Sequence, residues 1–297
     1  LIELLVSVTI IGILAAIVLG ALSSGREWGI ASATKMRITR IANAVQAMVQ
    51  GYQTRRLPEP PLAVLPQNNG GNTQPLMLWK LNARRDLMRM EMPDRWSDVT
   101  NDPLVPVYSP SNPVGVLPGP TTLRRVYRSR YAKAVADYGQ AAVDANASAE
   151  CLYLIIMNSA NSDNFRGSDR GDVDGDGLRE FHDNWGNPIQ FVRWPAGFTV
   201  DHGGAIHTDM PDHHDWLKLS GDYELHPLVY SAGPDGVFDV NPGLDTSGNP
   251  MAYVLTAGIL RTCEPDPTGN LVGKPLDLGG DGNLGHFDNI HSHALCR

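Results

Sequence analysis

The chain opens on an unbroken apolar stretch and then becomes periodic. From Leu4 to Gly25 no acidic or basic residue occurs, and the stretch includes LLVSVTIIGILAAIVLGAL. A helix made of it is apolar on every side. At about 1.5 Å per residue it is long enough to span a bilayer core. Further on, Ile38, Ile41, Val45, Met48 and Tyr52 recur at spacings of 3, 4, 3 and 4. That spacing draws one apolar stripe along a helix, with Arg37, Arg40 and Gln46 on the other side. No proline precedes Pro58, so residues 1–53 are expected to form one helix of roughly 80 Å. Its first half, 1–25, asks for lipid or other helices. Its second half, 26–53, asks for a globular body along one side. Gly12, Gly20, Gly25 and Gly29 are weak points where it can bend.

Prolines then interrupt the pattern. Pro58, Pro60, Pro61 and Pro66, and later Pro103, Pro106, Pro110, Pro113, Pro118 and Pro120, forbid long helices. Residues 54–160 read as a helical and loop-rich insert. Helices are expected over 76–92 (ending before Pro93), near 121–138, and over 147–158 with Asn146 as N-cap. Residues 161–297 read as loop and strand. Strands are expected at 188–194, 228–231 and 252–256, with WGNP, GPDG and TSGN as turns. The fold class is α+β: a long helix packed on a globular head with a small antiparallel sheet.

Composition narrows the function. Of 297 residues, 42% are hydrophobic and 19% charged, which is globular and not disordered. The net charge of −8 argues against a nucleic-acid partner, because such domains are usually basic. The apolar start disfavours a purely cytosolic enzyme. It also lacks the basic n-region and cleavage site of a secretory signal.

Candidate chemistry centres on GDVDGDGLREFHD, 171–183. Asp172, Asp174 and Asp176 occupy positions 1, 3 and 5 of a calcium loop, and Gly177 falls where the chain must turn. Leu178 offers a carbonyl at position 7, Glu180 stands at 9 and Asp183 at 12. Acids on alternate residues converge only when something offsets their repulsion, and a hard cation does so. The alternative is a solvated acidic turn. His202, His207, His213 and His214, with Asp209, Asp212 and Asp215, carry zinc-type donors, but the stretch is polar and without HExxH spacing. We read it as a solvated surface loop, and His291 and His293 as exposed. The three cysteines, Cys151, Cys263 and Cys296, include no CxxC, which excludes a zinc ribbon or thioredoxin-like site. A Cys263–Cys296 disulfide would suit an exported domain; free thiols are the alternative. There is no GxSxG and no P-loop. GDGNLG, 280–285, matches GxGxxG in form but has no strand before it or helix after it. No catalytic set emerges, and the expectation is a protein that is not an enzyme.

LIELLVSVTIIGILAAI resembles the N-terminal signature of type IV pilins and type II secretion pseudopilins. Family members usually carry an aromatic residue and Thr before Leu-Ile-Glu, so two family positions are expected ahead of Leu1. Glu3 matches the family's acidic residue, whose partner there is the N-terminal amine of a neighbouring subunit. DNWGNPIQF (183–191) and YSAGPDG (230–236) are similar to the DPWGNPY and YSLGADG halves of the major pseudopilin. Asn184 stands in place of the usual Pro. RWPAGF, ECLYLIIM and DGDGLREF look like the enlarged pseudopilins of planctomycetes. The resemblance implies a structural subunit of a helical filament, in a secretion machine or, alternatively, a long surface fibre. It implies as partners copies of itself, other pilin-like subunits, a prepilin peptidase and an inner-membrane assembly platform. It places the chain in the bacterial inner membrane as a single pass with its head outside the cytoplasm, then in a periplasmic or extracellular filament. It also implies calcium-braced loops, and a second calcium set at Asp235, Asp281, Asp288 and Asn289. A membrane-anchored metal enzyme is the competing class.

Overall fold

The computed structural model describes residues 2–165, 167–198, 212, 214, 215, 217–243, 251–263, 269–276 and 290–292, with the side chains of 2–6 and 23 outside that description. Helix α1, Ile2–Thr54, is continuous over 53 residues. Its glycines do not interrupt it. Thr34, Ile38, Ile41, Ala44, Val45 and Tyr52 are buried, and Met48 is partly buried against them. Burying one such Ile contributes about 1.5–3 kcal/mol, so packing holds the second half in place. Among the described side chains of the first half the apolar ones are exposed, Ile11 at 65% and Leu22 at 64%. By length and composition this helix is apolar enough to cross a membrane.

Residues 54–160 contribute α2, Gln74–Glu91, α3, Trp96–Thr100, a hairpin of β1, Val107–Ser109, and β2, Asn112–Val116, then α4, Thr122–Tyr138, α5, Gln140–Ala145, and α6, Ala147–Met157. Thr121 caps α4, its Oγ1 accepting from Arg124 N–H at 3.2 Å. Helix α6 is buried from Ala149 to Ile156, as expected of a helix apolar on all sides. Asn146 precedes α6 but does not cap it with its side chain; its Nδ2 donates instead to Asp174 Oδ2 at 2.9 Å.

Strands β3, Arg170–Gly171, and β4, Glu180–Phe181, pair antiparallel. Strands β5, Gln190–Val192, β6, Leu228–Ser231, and β9, Ile290–His291, form an antiparallel sheet in the order β5-β6-β9. Phe191 faces Val229 across one ladder and Ser231 faces Ile290 across the other. The strand expected at 252–256 shrinks to β7, Leu255–Thr256, which pairs only with β8, Ile259–Leu260. The strand expected at 188–194 keeps only β5. Pro188 has no N–H for the ladder and makes an isolated bridge to His182.

One cluster joins Ile38, Ile41 and Val45 of α1 to Met88, Trp96, Val99, Tyr127, the apolar residues of α6, Phe181, Phe191 and Val229. Residues 54–160 therefore supply part of the body that receives α1 and share its core with the residues that follow. Beneath α2 and α3 lies a buried ionic network. Arg89 pairs with Asp86 at 2.9 Å, Arg95 with Asp94 at 3.0 Å and Arg193 with Asp98 at 2.9 Å. Arg85 holds Asp212 at 2.6 Å and Asp222 at 2.8 Å.

Candidate metal centre

Gly171 lies opposite Glu180, so residues 172–179 are the loop of a tight hairpin. Asp172 organises it. Its Oδ1 accepts from Gly175 N–H at 2.7 Å and Asp176 N–H at 3.1 Å, and its Oδ2 accepts from Gly177 N–H at 3.1 Å. Asp176 Oδ1 accepts from Leu178 N–H at 2.8 Å. Gly177 has φ of +83°, and a Cβ there would lie 2.6 Å from Tyr138 Cε2. A left-handed turn against the end of α4 thus requires glycine.

Among the described residues two groups of carboxylates converge, each with oxygens within 4.8 Å of one another: Asp172, Asp174 and Glu180, and Glu150, Asp174 and Asp176. Asp172 and Asp174 are exposed, whereas Glu150 and Glu180 are 0% exposed and Asp176 is 2% exposed. Glu180 accepts from Val173 N–H. Glu150 Oε2 accepts from the Trp96 indole at 3.0 Å. The other oxygens, Glu150 Oε1, Asp176 Oδ2 and Glu180 Oε2, are buried and accept no hydrogen bond. Burial, then the charges of Asp176 and Asp174, pushes Glu150 up to about 10. Burial, with Asp174 and Asp172 adding to it, raises Glu180 to about 7. Burial also raises Asp176. Such a group keeps a proton or takes a cation. An all-oxygen donor set suits calcium or magnesium, not a nitrogen- or sulfur-seeking metal.

Of the six loop positions picked out by spacing, Asp172, Asp174, Asp176 and Glu180 come together. Leu178 is buried beside them. Asp183 does not join them, which corrects the twelve-position reading. Its Oδ1 accepts from Trp185 N–H and Asn187 N–H, both at 2.8 Å, and its Oδ2 from the Ser231 hydroxyl at 2.6 Å. The chain reverses at WGNP directly after β4, and the adjacent turn amides take the carboxylate. Asn187 Nδ2 also donates to Gly233 O at 2.8 Å. WGNP and YSAGPDG are thereby tied together in space. The same turn is fastened to α1: Asn184 N–H donates to Thr34 Oγ1 at 3.2 Å, and Arg37 donates to His182 O and, at 3.0 Å, to Asp169 Oδ1.

Spacing within the loop does not point to Glu150, which lies on another element as the acid opening the apolar run ECLYLIIM. Asp235 is exposed, its Oδ1 accepting from Val237 N–H at 2.9 Å; Asp281, Asp288 and Asn289 lie outside the described residues, as do the GDGNLG stretch and Cys296. Glu3 is within α1, but its side chain is not described. Cys151 is buried in the core and Cys263 is partly exposed. His202, His207, Asp209, His213 and His293 are likewise outside the described residues. The expected solvated loop is corrected at Asp212 and Asp215, which are buried. Arg85 and backbone amides hold them, Asp215 accepting from Ser220 N–H at 2.6 Å. His214 is partly buried near Arg84. His291 is partly buried in β9, its ring 4.8 Å from that of Phe198. The chain matches no protein-family model, no curated protein and no solved structure.

Proposed function

We propose that the chain is a structural subunit of the pilin-like class, a pseudopilin-type protein that assembles through α1 into a helical filament of a type II secretion-like or type IV pilus-like system. One observation carries this reading: a single 53-residue helix is built into the head by its second half and is bare and apolar along its first. Apolar surface left in water costs about 25 cal/mol per Å², so the first half belongs in lipid or among copies of itself. Before assembly it crosses the membrane once, with the head outside the cytoplasm. After release by a prepilin peptidase and delivery to an assembly platform, the bare halves bundle and the heads pack outside. Repetition of one heterologous contact gives a helical filament. Glu3 opens the apolar half, where a carboxylate needs a partner; a neighbouring subunit's amine fills that role. The joined WGNP and GPDG turns favour a secretion pseudopilus over a long fibre. Calcium at the acidic hairpin braces loops that bury little apolar area. The role is structural and not catalytic.

Electron microscopy of membrane and sheared surface fractions, with an antibody to residues 54–297, tests this. Short labelled filaments at the membrane are expected. Long labelled fibres would transfer the protein to the surface-pilus class. Label dispersed in the membrane, without copy-to-copy crosslinks through α1, would overturn the filament.

A further inference from the structure

Glu150 stands in the first turn of α6, inside a helix whose neighbours are core residues. An acid there is costly unless something compensates it. Trp96 supplies one hydrogen bond, to Oε2. Oε1 accepts none, and neither do Asp176 Oδ2 or Glu180 Oε2. No protein N–H or hydroxyl reaches any of these three buried oxygens, and without a cation Glu150 and Asp176 can satisfy one another only by sharing a proton. Arg130, Lys133 and Arg179 line a neighbouring cleft of about 390 Å³ that Glu150 also borders, yet none of them donates to these oxygens. Asp174 belongs to both carboxylate groups and is exposed, so an ion has access from solvent. Asn146, just ahead of α6, turns its amide to Asp174 Oδ2 at 2.9 Å, which brings helix and hairpin together.

We propose that Glu150 is a ligand of a divalent cation held with Asp174 and Asp176, so that one ion clamps the hairpin loop onto the buried helix α6. This rests on the calcium reading of the loop and adds an element to it. The site differs from a contiguous calcium loop. Its buried ligand comes from a helix, Asp172 serves as loop scaffold, and Asp183 is absent. Oxygen donors at this density select a hard cation.

The test uses the full chain in detergent micelles, stripped with chelator and titrated with CaCl2 by calorimetry, with thermal unfolding followed by near-ultraviolet circular dichroism. Wild type should bind calcium and gain thermal stability. Glu150→Gln keeps an acceptor for Trp96 and should keep the ion-free fold, while its calcium affinity falls at least about tenfold through loss of one charged ligand. Asp176→Asn should fall similarly. If Glu150→Gln does not fold, Glu150→Asp withdraws the carboxylate by one methylene and should also weaken binding. Wild-type affinity in a folded Glu150 variant, with loss in Asp176→Asn, would overturn the role of Glu150 and leave the hairpin as a simple calcium loop. No binding by wild type at millimolar calcium would overturn both, while the filament is judged separately by microscopy.

Discussion

Replacing Arg193 by Met should be among the most damaging single changes in the head. Arg193 is 0% exposed. Its Nη1 donates to Met92 O at 2.6 Å and to Asp98 Oδ2 at 2.9 Å, and its Nη2 lies 3.5 Å from Asp94 Oδ1. Its guanidinium lies 4.2 Å over the Trp194 ring and 4.9 Å from the Tyr253 ring. Methionine keeps most of the volume but none of the donors. Asp94 retains Arg95 at 3.0 Å, whereas Asp98 retains Arg89 at 3.8 Å and a long hydrogen bond from Asp94 N–H at 3.5 Å. The change therefore leaves chiefly Asp98 without its counter-charge. Removing one partner of a buried pair costs about 3–5 kcal/mol, and the remaining Arg89 places this case at the lower end, about 3 kcal/mol. At about 2–4 °C per kcal/mol for a chain of this size, the unfolding midpoint should fall by roughly 6–12 °C. Thermal unfolding of the full chain in micelles, followed by near-ultraviolet circular dichroism, measures the midpoint, and urea unfolding measures the loss in free energy. Adding Asp98→Asn to Arg193→Met should recover part of the loss, because the orphaned charge is then gone. A single variant within about 1 kcal/mol of wild type, or a double variant losing the full sum of two costs, would refute the idea that this pair is a coupled buried unit.

Within the same network one carboxyl, Asp94, contributes an acid-sensitive stabilisation, while burial raises its neighbour Asp98. Burial pushes Asp94 up, but Arg193 and Arg95 outweigh it and hold the carboxyl at about 2, below its ordinary 3.8. Because the folded value is depressed, this stabilisation is present above about pH 4 and is lost as pH falls toward 2; acid titration of stability should show the loss, and Arg193→Met should reduce it. A chain lacking residues 1–25 should remain folded without detergent, with an unchanged unfolding midpoint, because the described side chains there are exposed. A head that melts on this truncation would show that the apolar half is part of the fold. Asp183→Ala should cost about 2–4 kcal/mol by stranding the amides of Trp185 and Asn187 and the Ser231 hydroxyl. It should leave calcium binding by the hairpin unchanged; loss of binding in a folded Asp183→Ala would return position 12 to the site.

The helices were legible where burial follows period. The stripe Ile38, Ile41, Val45 and Tyr52 is the buried face of α1, and Pro93 and Thr121 bound the helices beside them. The burial of charge on α2 was not legible: Arg85, Asp86 and Arg89 are buried, and the acids that pair with Arg85, Asp212 and Asp222, arrive from distant segments. The acidic loop shows the same limit twice. Spacing put Asp183 at position 12, but the turn that begins there has the nearer claim on its oxygens. Spacing could not point to Glu150, whose place in the cluster exists only once α6 packs against β4. Of the expected strands, 228–231 is bounded as β6, whereas 188–194 and 252–256 shorten to β5 and β7.

The sheet also imposes an order on how the chain becomes a protein. Strand β9 pairs His291 with Tyr230, the Ser292 hydroxyl accepts from Val229 N–H at 3.1 Å, and α1 lies across both β6 and β9. A ribosome or translocon delivers α1 early and residues 290–292 some 235 positions after it ends. Until those residues arrive, the β9-facing edge of β6 is open beside α1, and an open edge is a template for pairing with another chain. A nascent chain stalled before Ile290 would carry its exposed apolar helix and an unfinished sheet edge together.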